Sequence, residues 1–281
     1  MSSNLRKQMI DKLRKAFDVF ITDPVLFTKE ILRRISNKSY THKGFLINNT
    51  EDFRFVYGIK KYKKEWSIIK EKESFYLFNK KYNVKFWIPK DKIGLYSVVM
   101  FEKNLDLEQY DLKKEEICNK RVLDVGAYVG DTVLGFILKG AKYVVGIEPV
   151  YYDVAKKNLE INNIKNAEIR DYGLADRDIE YGVTKNLSAT GLKEGDFKIK
   201  TKSWEEILKN EKFDLAKVDC EGCELYLLTV SDELLRKIPL WVMEIHGAYL
   251  PLVNKFKRAG FEPKLVKRFS DLLTIWKFKL I

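Results

Sequence analysis

The sequence predicts an α/β protein: a doubly wound, mostly parallel seven-stranded Rossmann-like sheet with a C-terminal antiparallel hairpin, preceded by a smaller α+β region. Three observations carry that prediction. After about Asp106, apolar runs rich in β-branched residues alternate with helical stretches, the rhythm of strands that lie in a parallel sheet covered on both faces. One run ends in a glycine turn, Gly126 and Gly130, that leads into a helix. The last two runs are too close for a helical crossover, so they pair antiparallel. We divide the chain into residues 1–105 and 106–281.

In chain order, Leu5, Met9, Ile10, Leu13, Phe17 and Phe20 follow helical spacing and predict an amphipathic helix over 5–20. Asp23-Pro24 reads as an N-cap with proline in the first helical turn, opening a second helix to about Arg34. The basic polar faces of these helices fit either docking on their own domain or contact with a membrane surface. From Phe45 to about Phe101 the aromatic and β-branched content predicts short antiparallel strands, with alternation in Phe53–Tyr57 and in Tyr82–Ile88. The Lys60-Lys61-Tyr62-Lys63-Lys64 run reads as a solvated strand edge or turn. Five strands follow at Val122–Val125, Tyr143–Ile147, Ala167–Arg170, Leu215–Val218 and Leu240–Ile245, with the hairpin at Glu262–Lys267 and Leu272–Phe278.

Composition narrows the classes of function. The 281 residues, 46% hydrophobic and 33% charged, exclude a disordered tail. No apolar stretch approaches the ~18 residues that span a bilayer. The N-terminus lacks the apolar core of a secretory signal, and three cysteines, Cys118, Cys220 and Cys223, make no disulfide framework, so a cytoplasmic protein is expected. Cys220 and Cys223 form a C-x-x-C pair without the thioredoxin context, which reads as incidental. The net charge of +12 is concentrated in residues 1–120, where 26 Lys and Arg face 16 Asp and Glu. Such a basic half favours phosphate, anionic lipid or acidic glycan partners, or serves as a soluble surface.

Four motifs carry chemistry. The turn after Val122–Val125 has G-x-x-x-G spacing with Tyr128 between the glycines, which departs from both the dinucleotide fingerprint and the phosphate-gripping loop of nucleotide triphosphatases. Asp124 at its strand end suits a cationic ligand bearing an amino group better than a pyrophosphate. Glu148 ends the next strand, placed to accept hydrogen bonds from ribose hydroxyls. Lys217-Val-Asp-Cys-Glu-Gly-Cys-Glu224 ends the fourth strand, where a doubly wound sheet presents residues to its ligand crevice, and Glu244-Ile-His246 ends the fifth.

Together these ordered motifs resemble the FkbM-type methyltransferases, over roughly residues 106–281. The resemblance implies a class I fold, S-adenosylmethionine (SAM) as cofactor, and O-methylation of hydroxyls on sugars, glycans or related small molecules. It places Asp124, Gly126 and Gly130 along the cofactor's methionine part, with Ala127 and Tyr128 also in the cofactor-binding turn, Glu148 on the ribose, Asp171 and Tyr172 near the adenine, and Asp219 beside the sulfonium methyl. Tyr128 departs from the family's common asparagine, and Cys223 from its common alanine. Asp219, Glu221 and His246 are the candidate catalytic groups, left unranked as bases. A divalent cation on Asp219, Glu221 and Glu244 is a less favoured alternative. Other readings are a tRNA or RNA methyltransferase that uses the basic N-terminal region, and a SAM- or glycan-binding protein without turnover. Residues 1–105 are expected to cover the crevice or to dock an anionic acceptor, with peripheral membrane contact as a further option.

Overall fold

The computed structural model describes residues 14–72, 74–89, 92–183 and 197–281. The chain divides into two compact units, Met1–Phe101 and Glu102–Ile281.

The first unit begins with helix α1 at residues 14–22, while the earlier turns of the predicted 5–20 helix lie outside the described residues. Helix α2 (Pro24–Ser36) starts as its sequence requires, with the Asp23 carboxylate accepting the Leu26 amide at 3.0 Å and proline in the first turn. A two-stranded hairpin, β1 (Tyr40–His42) and β2 (Phe45–Ile47), leads into helix α3 (Thr50–Lys61). There the structure corrects the sequence reading, because Phe53–Tyr57 is helical and not a strand. Asn49 caps the helix by accepting the Asp52 amide at 2.9 Å, acids fill the first turn, and lysines fill the last. Phe53, Val56 and Tyr57 then share one helical face, so a five-residue alternation gave way to capping and to the 3.6-residue period. The lysine–tyrosine run ends α3 and turns into β3, with Trp66 donating its amide to the Tyr62 carbonyl. Strands β3 (Trp66–Glu71), β4 (Ser74–Asn79) and β5 (Val84–Ile88) form an antiparallel meander, and helix α4 (Tyr96–Phe101) closes the unit.

The second unit opens with short helical turns ending in α5 (Lys114–Ile117) and then winds the predicted sheet. Its strands are β6 (Arg121–Val125), β7 (Tyr143–Ile147), β8 (Ala167–Arg170), then β12 (Leu215–Val218), β13 (Leu240–His246), β14 (Phe261–Ser270) and β15 (Leu273–Leu280). The order across the sheet is β14-β15-β13-β12-β6-β7-β8, parallel from β13 to β8 and antiparallel at β15 and β14. The interleaved helices are α6 (Asp131–Leu138), α7 (Tyr152–Ile161), α8 (Trp204–Asn210), α9 (Asp232–Leu235) and α10 (Leu250–Arg258). A small sheet that the sequence reading missed, from β9 (Gly173–Ala175), β10 (Glu180–Val183) and β11 (Phe197–Ser203), lies between β8 and α8 in the chain.

The chain winds outward from β6 through β7 to β8, then returns to lay β12 on the opposite side of β6. That reversal is the switch point of a doubly wound sheet, and its crevice opens at the carboxyl ends of β6 and β12. The register pairs Lys217 with Asp124, bringing two of the motifs to one place. Trp204, Trp241, Phe256 and Phe278 are fully buried in the core on one side of these strands and fix the sheet beneath the crevice.

Candidate active site

Two turns meet at the switch point. Gly126, at φ +79°, follows β6, and a Cβ added there would sit 1.7 Å from the Asp219 carbonyl oxygen. The Asp219 amide in turn donates to the Val125 carbonyl at 2.9 Å. The missing side chain of Gly126 therefore serves the contact between these two turns, a packing role distinct from the ligand approach that the sequence alone suggests. Gly126 and Ala127 donate their amides to the Ile147 carbonyl at 3.0 and 3.1 Å, and Gly130, at φ +81°, heads α6. Tyr128 adopts φ +49°, the left-handed region where asparagine is at home and an aromatic residue is strained.

Lys217 is the centre of the arrangement. It is 1% exposed, its Nζ donates to the Gly126 carbonyl at 2.9 Å, and it lies 3.1 Å from Asp124 Oδ1 and 3.9 Å from Asp219 Oδ2. Asp124 is wholly buried, and its other oxygen accepts the Thr132 hydroxyl at 2.5 Å. Burial drives the Asp124 carboxyl up, while Lys217 and Thr132 pull it back down. The sequence reading set Asp124 against a ligand amino group. Here its carboxylate is enclosed and committed to Lys217 and Thr132, so it shapes the turn from beneath.

Asp219 is partly open, and its Oδ2 accepts the hydroxyl of Tyr110 at 2.9 Å. Tyr110 is fully buried, and desolvation together with Asp219 raises its phenol well above the ordinary value, so it remains a donor at neutral pH. Sequence reasoning missed this residue, which lies 109 positions from its partner and in no motif.

Glu148 ends β7 buried, with one oxygen accepting the Val150 and Tyr151 amides at 2.7 and 2.9 Å and the other the Tyr128 amide at 2.9 Å. Burial pushes its carboxyl up to about 7 despite these three donors. It holds the turn that precedes α7 and also ties the β7 end to the glycine turn. Tyr172 is half-buried beside Arg170, whose guanidinium donates to its hydroxyl at 3.3 Å, and Asp171 is exposed. Among the described residues, neither hydrogen-bonds to the Lys217 group.

The third cluster surrounds His246 at the end of β13. Its Nε2 lies 3.4 Å from Glu221 and 3.5 Å from Glu244, and its Nδ1 lies 3.5 Å from Glu224. Burial alone would lower the imidazole, but Glu224, Glu244, Asp219 and Glu221 hold it up to about 11. The ring of carboxylates thus favours the protonated imidazole, the form that holds its proton rather than taking one up. Glu224 is wholly buried and accepts the amides of His246 at 2.8 Å and Gly222 at 2.9 Å, fastening the loop after β12 to β13. Glu221, at φ +58°, is partly open, and burial raises both its carboxyl and that of Glu244. Donor atoms of Asp219, Glu244 and His246 lie within 4.8 Å of one another, a spacing a cation could share only after His246 gives up a proton. The same loop carries a second departure from the sequence reading, since Cys220 and Cys223 are joined by a disulfide, with Cα atoms 5.5 Å apart.

Residues 124–263 match the family model for the methyltransferase FkbM domain. This part of the chain is a methyltransferase FkbM domain. The match begins at Asp124 and takes in the glycine turn, Glu148, the Lys217–Glu224 block and Glu244-Ile-His246. Among solved structures, the chain is similar to WbdD bound to a kinase inhibitor, at 18% identity and a TM-score of 0.41, over 63% of this chain and 40% of that one. It is also similar to ribosomal protein L11 methylase from Lactobacillus delbrueckii subsp. bulgaricus, at 15% identity and a TM-score of 0.38, over 70% of this chain and 82% of that one. A third is the T. thermophilus 16S rRNA N2 G1207 methyltransferase RsmC with AdoMet and guanosine, at 15% identity and a TM-score of 0.41, over 77% and 50%. The chain thus spans two-fifths of WbdD and half of RsmC. No curated protein sequence matches it.

Proposed function

We propose that the FkbM domain of this chain is a SAM-dependent O-methyltransferase acting on a hydroxyl of a sugar, glycan or related small molecule. The observation that carries this reading is the donor set at the switch point. The partly open groups there, Asp219, Glu221 and Glu244, are acids, while Lys217 is enclosed and His246 is ringed by carboxylates. Such a rim suits a cationic ligand with hydroxyls and repels a phosphate, which fits a sulfonium nucleoside and argues against a dinucleotide.

When bound, SAM supplies an electrophilic methyl group. Everything else falls to the protein. The turn from Gly126 to Gly130 would hold the amino-acid part, shaped from below by Asp124 and Lys217. The oxygen of Glu148 that carries one amide bond keeps a lone pair for a ribose hydroxyl. Asp219, oriented by Tyr110 and Lys217, would face the transferring group, and much of the rate would come from holding the acceptor oxygen in line with it. Of the candidate bases, Glu221 is favoured because it is partly open and its carboxyl is raised, and the adjacent His246 imidazolium offsets the charge of its neighbours.

The test is calorimetric titration with SAM, followed by a labelled-methyl screen of soluble glycans, glycolipids and tRNA. Wild-type protein should bind SAM and label a glycan pool, and Glu221→Gln should keep the affinity while kcat falls about 10²–10⁴-fold. Labelling confined to tRNA would replace the sugar reading with the RNA one. SAM binding without transfer to any pool would favour a binding protein.

A further inference from the structure

We propose that the outward faces of α1 and α2 dock the protein on an anionic lipid surface. Helix α2 is amphipathic in the inverted sense. It turns Leu26 and the carboxylate of Glu30 inward, both under 5% exposed, while Val25, Leu32 and Ile35 stand 59%, 58% and 78% exposed on the opposite side. Their i, i+7, i+10 spacing makes one stripe. Helix α1 continues the pattern with Phe17 and Ile21 at 63% and 64%, and a Phe20–Phe27 ring contact at 5.6 Å couples the two helices. Single exposed apolar residues are ordinary, but a stripe along two consecutive helices is, among the described residues, an unpartnered face.

The sign of its charge indicates the partner. Every acid in these helices is tied to cations or donors within the unit. Asp18 accepts from Tyr57 and Lys61, Asp23 pairs with His42 and Lys60, and Glu30 is gripped by Arg33 and Arg34. The exposed charges left on these helices and just after them are basic, at Arg14, Lys15, Arg34 and Lys38, and the exposed neutral polar residues include Thr28, Ser36 and Asn37. A hollow of about 610 Å³ beside α1, lined by Arg14, Lys15, Phe17, Asp18, Ile21 and Lys61, sets Arg14, Lys15 and the Lys61–Asp18 pair next to apolar side chains. Apolar residues edged by lysine and arginine, with each acid neutralised by a cation of its own unit, match a surface of anionic headgroups over hydrocarbon. A second copy would bring an equally basic rim against this one, which like-charge repulsion disfavours.

The experiment is flotation of the full chain with vesicles of phosphatidylcholine alone and of phosphatidylcholine with phosphatidylglycerol. The protein should rise with the anionic vesicles only, and added salt should release it. Ile21→Asp with Ile35→Asp should weaken binding at least about tenfold, and Lys15→Ala and Lys38→Ala about fivefold each. All four positions are exposed, so circular dichroism and SAM titration should match wild type. Failure to rise with either vesicle, undiminished binding by the Ile21→Asp/Ile35→Asp variant, or a dimer in light scattering that this variant dissolves would each overturn the proposal.

Discussion

Both units bury carboxylates, and Asp23 in the first and Glu148 in the second are treated in opposite ways, although burial also raises Asp52 in the first. In the first, Asp23 receives the Leu26 amide, Lys60 at 3.0 Å and His42 at 3.2 Å, and these partners outweigh burial and hold its carboxyl down to about 2. In the second, burial wins. Asp131 is pushed up to about 6 and Glu148 to about 7, and Asp124 is also raised. A depressed carboxyl strengthens its fold, whereas a raised one sits in a site that gives up stability, and such groups gather where ligands bind. The comparison teaches that Asp23 and Glu30 anchor helices through partnered charge, while Asp124, Asp131 and Glu148 shape a crevice at a cost in burial.

The largest effect should come from Lys217→Met, which strips the cation from Asp124 and leaves a carboxylate enclosed without its ion pair. Breaking a buried pair from one side costs about 3–5 kcal/mol, and SAM binding should be lost with it. Urea unfolding and calorimetry check both. A loss below about 1 kcal/mol would mean that Asp124 is protonated in the folded state and that the contrast between the units is overstated.

Glycines sharpen the comparison next. Gly44 and Gly126 both have positive φ, but a Cβ on Gly44 meets nothing within 4 Å, while one on Gly126 collides with the Asp219 backbone. Gly44→Ala should therefore cost about 1–2 kcal/mol of backbone strain alone. Gly126→Ala should cost more than twice as much and abolish SAM binding, because the two turns must separate. Equal losses by thermal unfolding would show that Gly126 serves only its own dihedral angle.

Asp23→Asn and Glu148→Gln test the carboxyl contrast itself. The folded pKa of Asp23 lies below its ordinary value of 3.8, so its contribution is present above about pH 4 and is lost as pH falls through about 2. The amide should cost about 2 kcal/mol at pH 7. Glu148 has the opposite sign. Its folded pKa lies above the ordinary 4.5, so its contribution is fully present below that pH and is lost as pH rises through about 7. Above that range Glu148→Gln should be neutral or stabilising while weakening SAM binding, which pairs a stability gain with a functional loss. A Glu148→Gln protein clearly less stable than wild type at pH 8 would place Glu148 with Asp23.

How much of this was legible in the sequence follows from the range of each interaction. The strands of the second unit could be read because a strand buried on both faces is a nearly continuous apolar run, as in Val122–Val125 and Leu240–Ile245. The α2 start was legible because Asp23-Pro24 acts within one turn. Phe53–Tyr57 was not, since five residues satisfy either period and the deciding cap at Asn49 lies outside them. Within the site, the motifs located Lys217, Asp219, Glu221 and His246. They could not show that His246 is ringed by carboxylates, that Tyr110 reaches Asp219, or that Asp124 is sealed under Lys217. Those facts depend on which strands become neighbours.

The smallest expected effect concerns Tyr128, and it separates strain from function. Its φ of +49° is a conformation that an aromatic side chain adopts at a cost and asparagine adopts readily. Its ring stands edge-on to Tyr151 at 5.1 Å, and its amide donates to Glu148, a bond that any residue at this position retains. Tyr128→Asn should relieve the backbone and lose the ring contact, two changes of about 1 kcal/mol each with opposite sign, so stability should move by less than about 1 kcal/mol. A SAM affinity unchanged alongside it would show that the turn acts through its backbone. A large fall in affinity with stability unchanged would instead assign the ring to the ligand, and would make Tyr128 the feature that distinguishes this crevice from others built on the same turn.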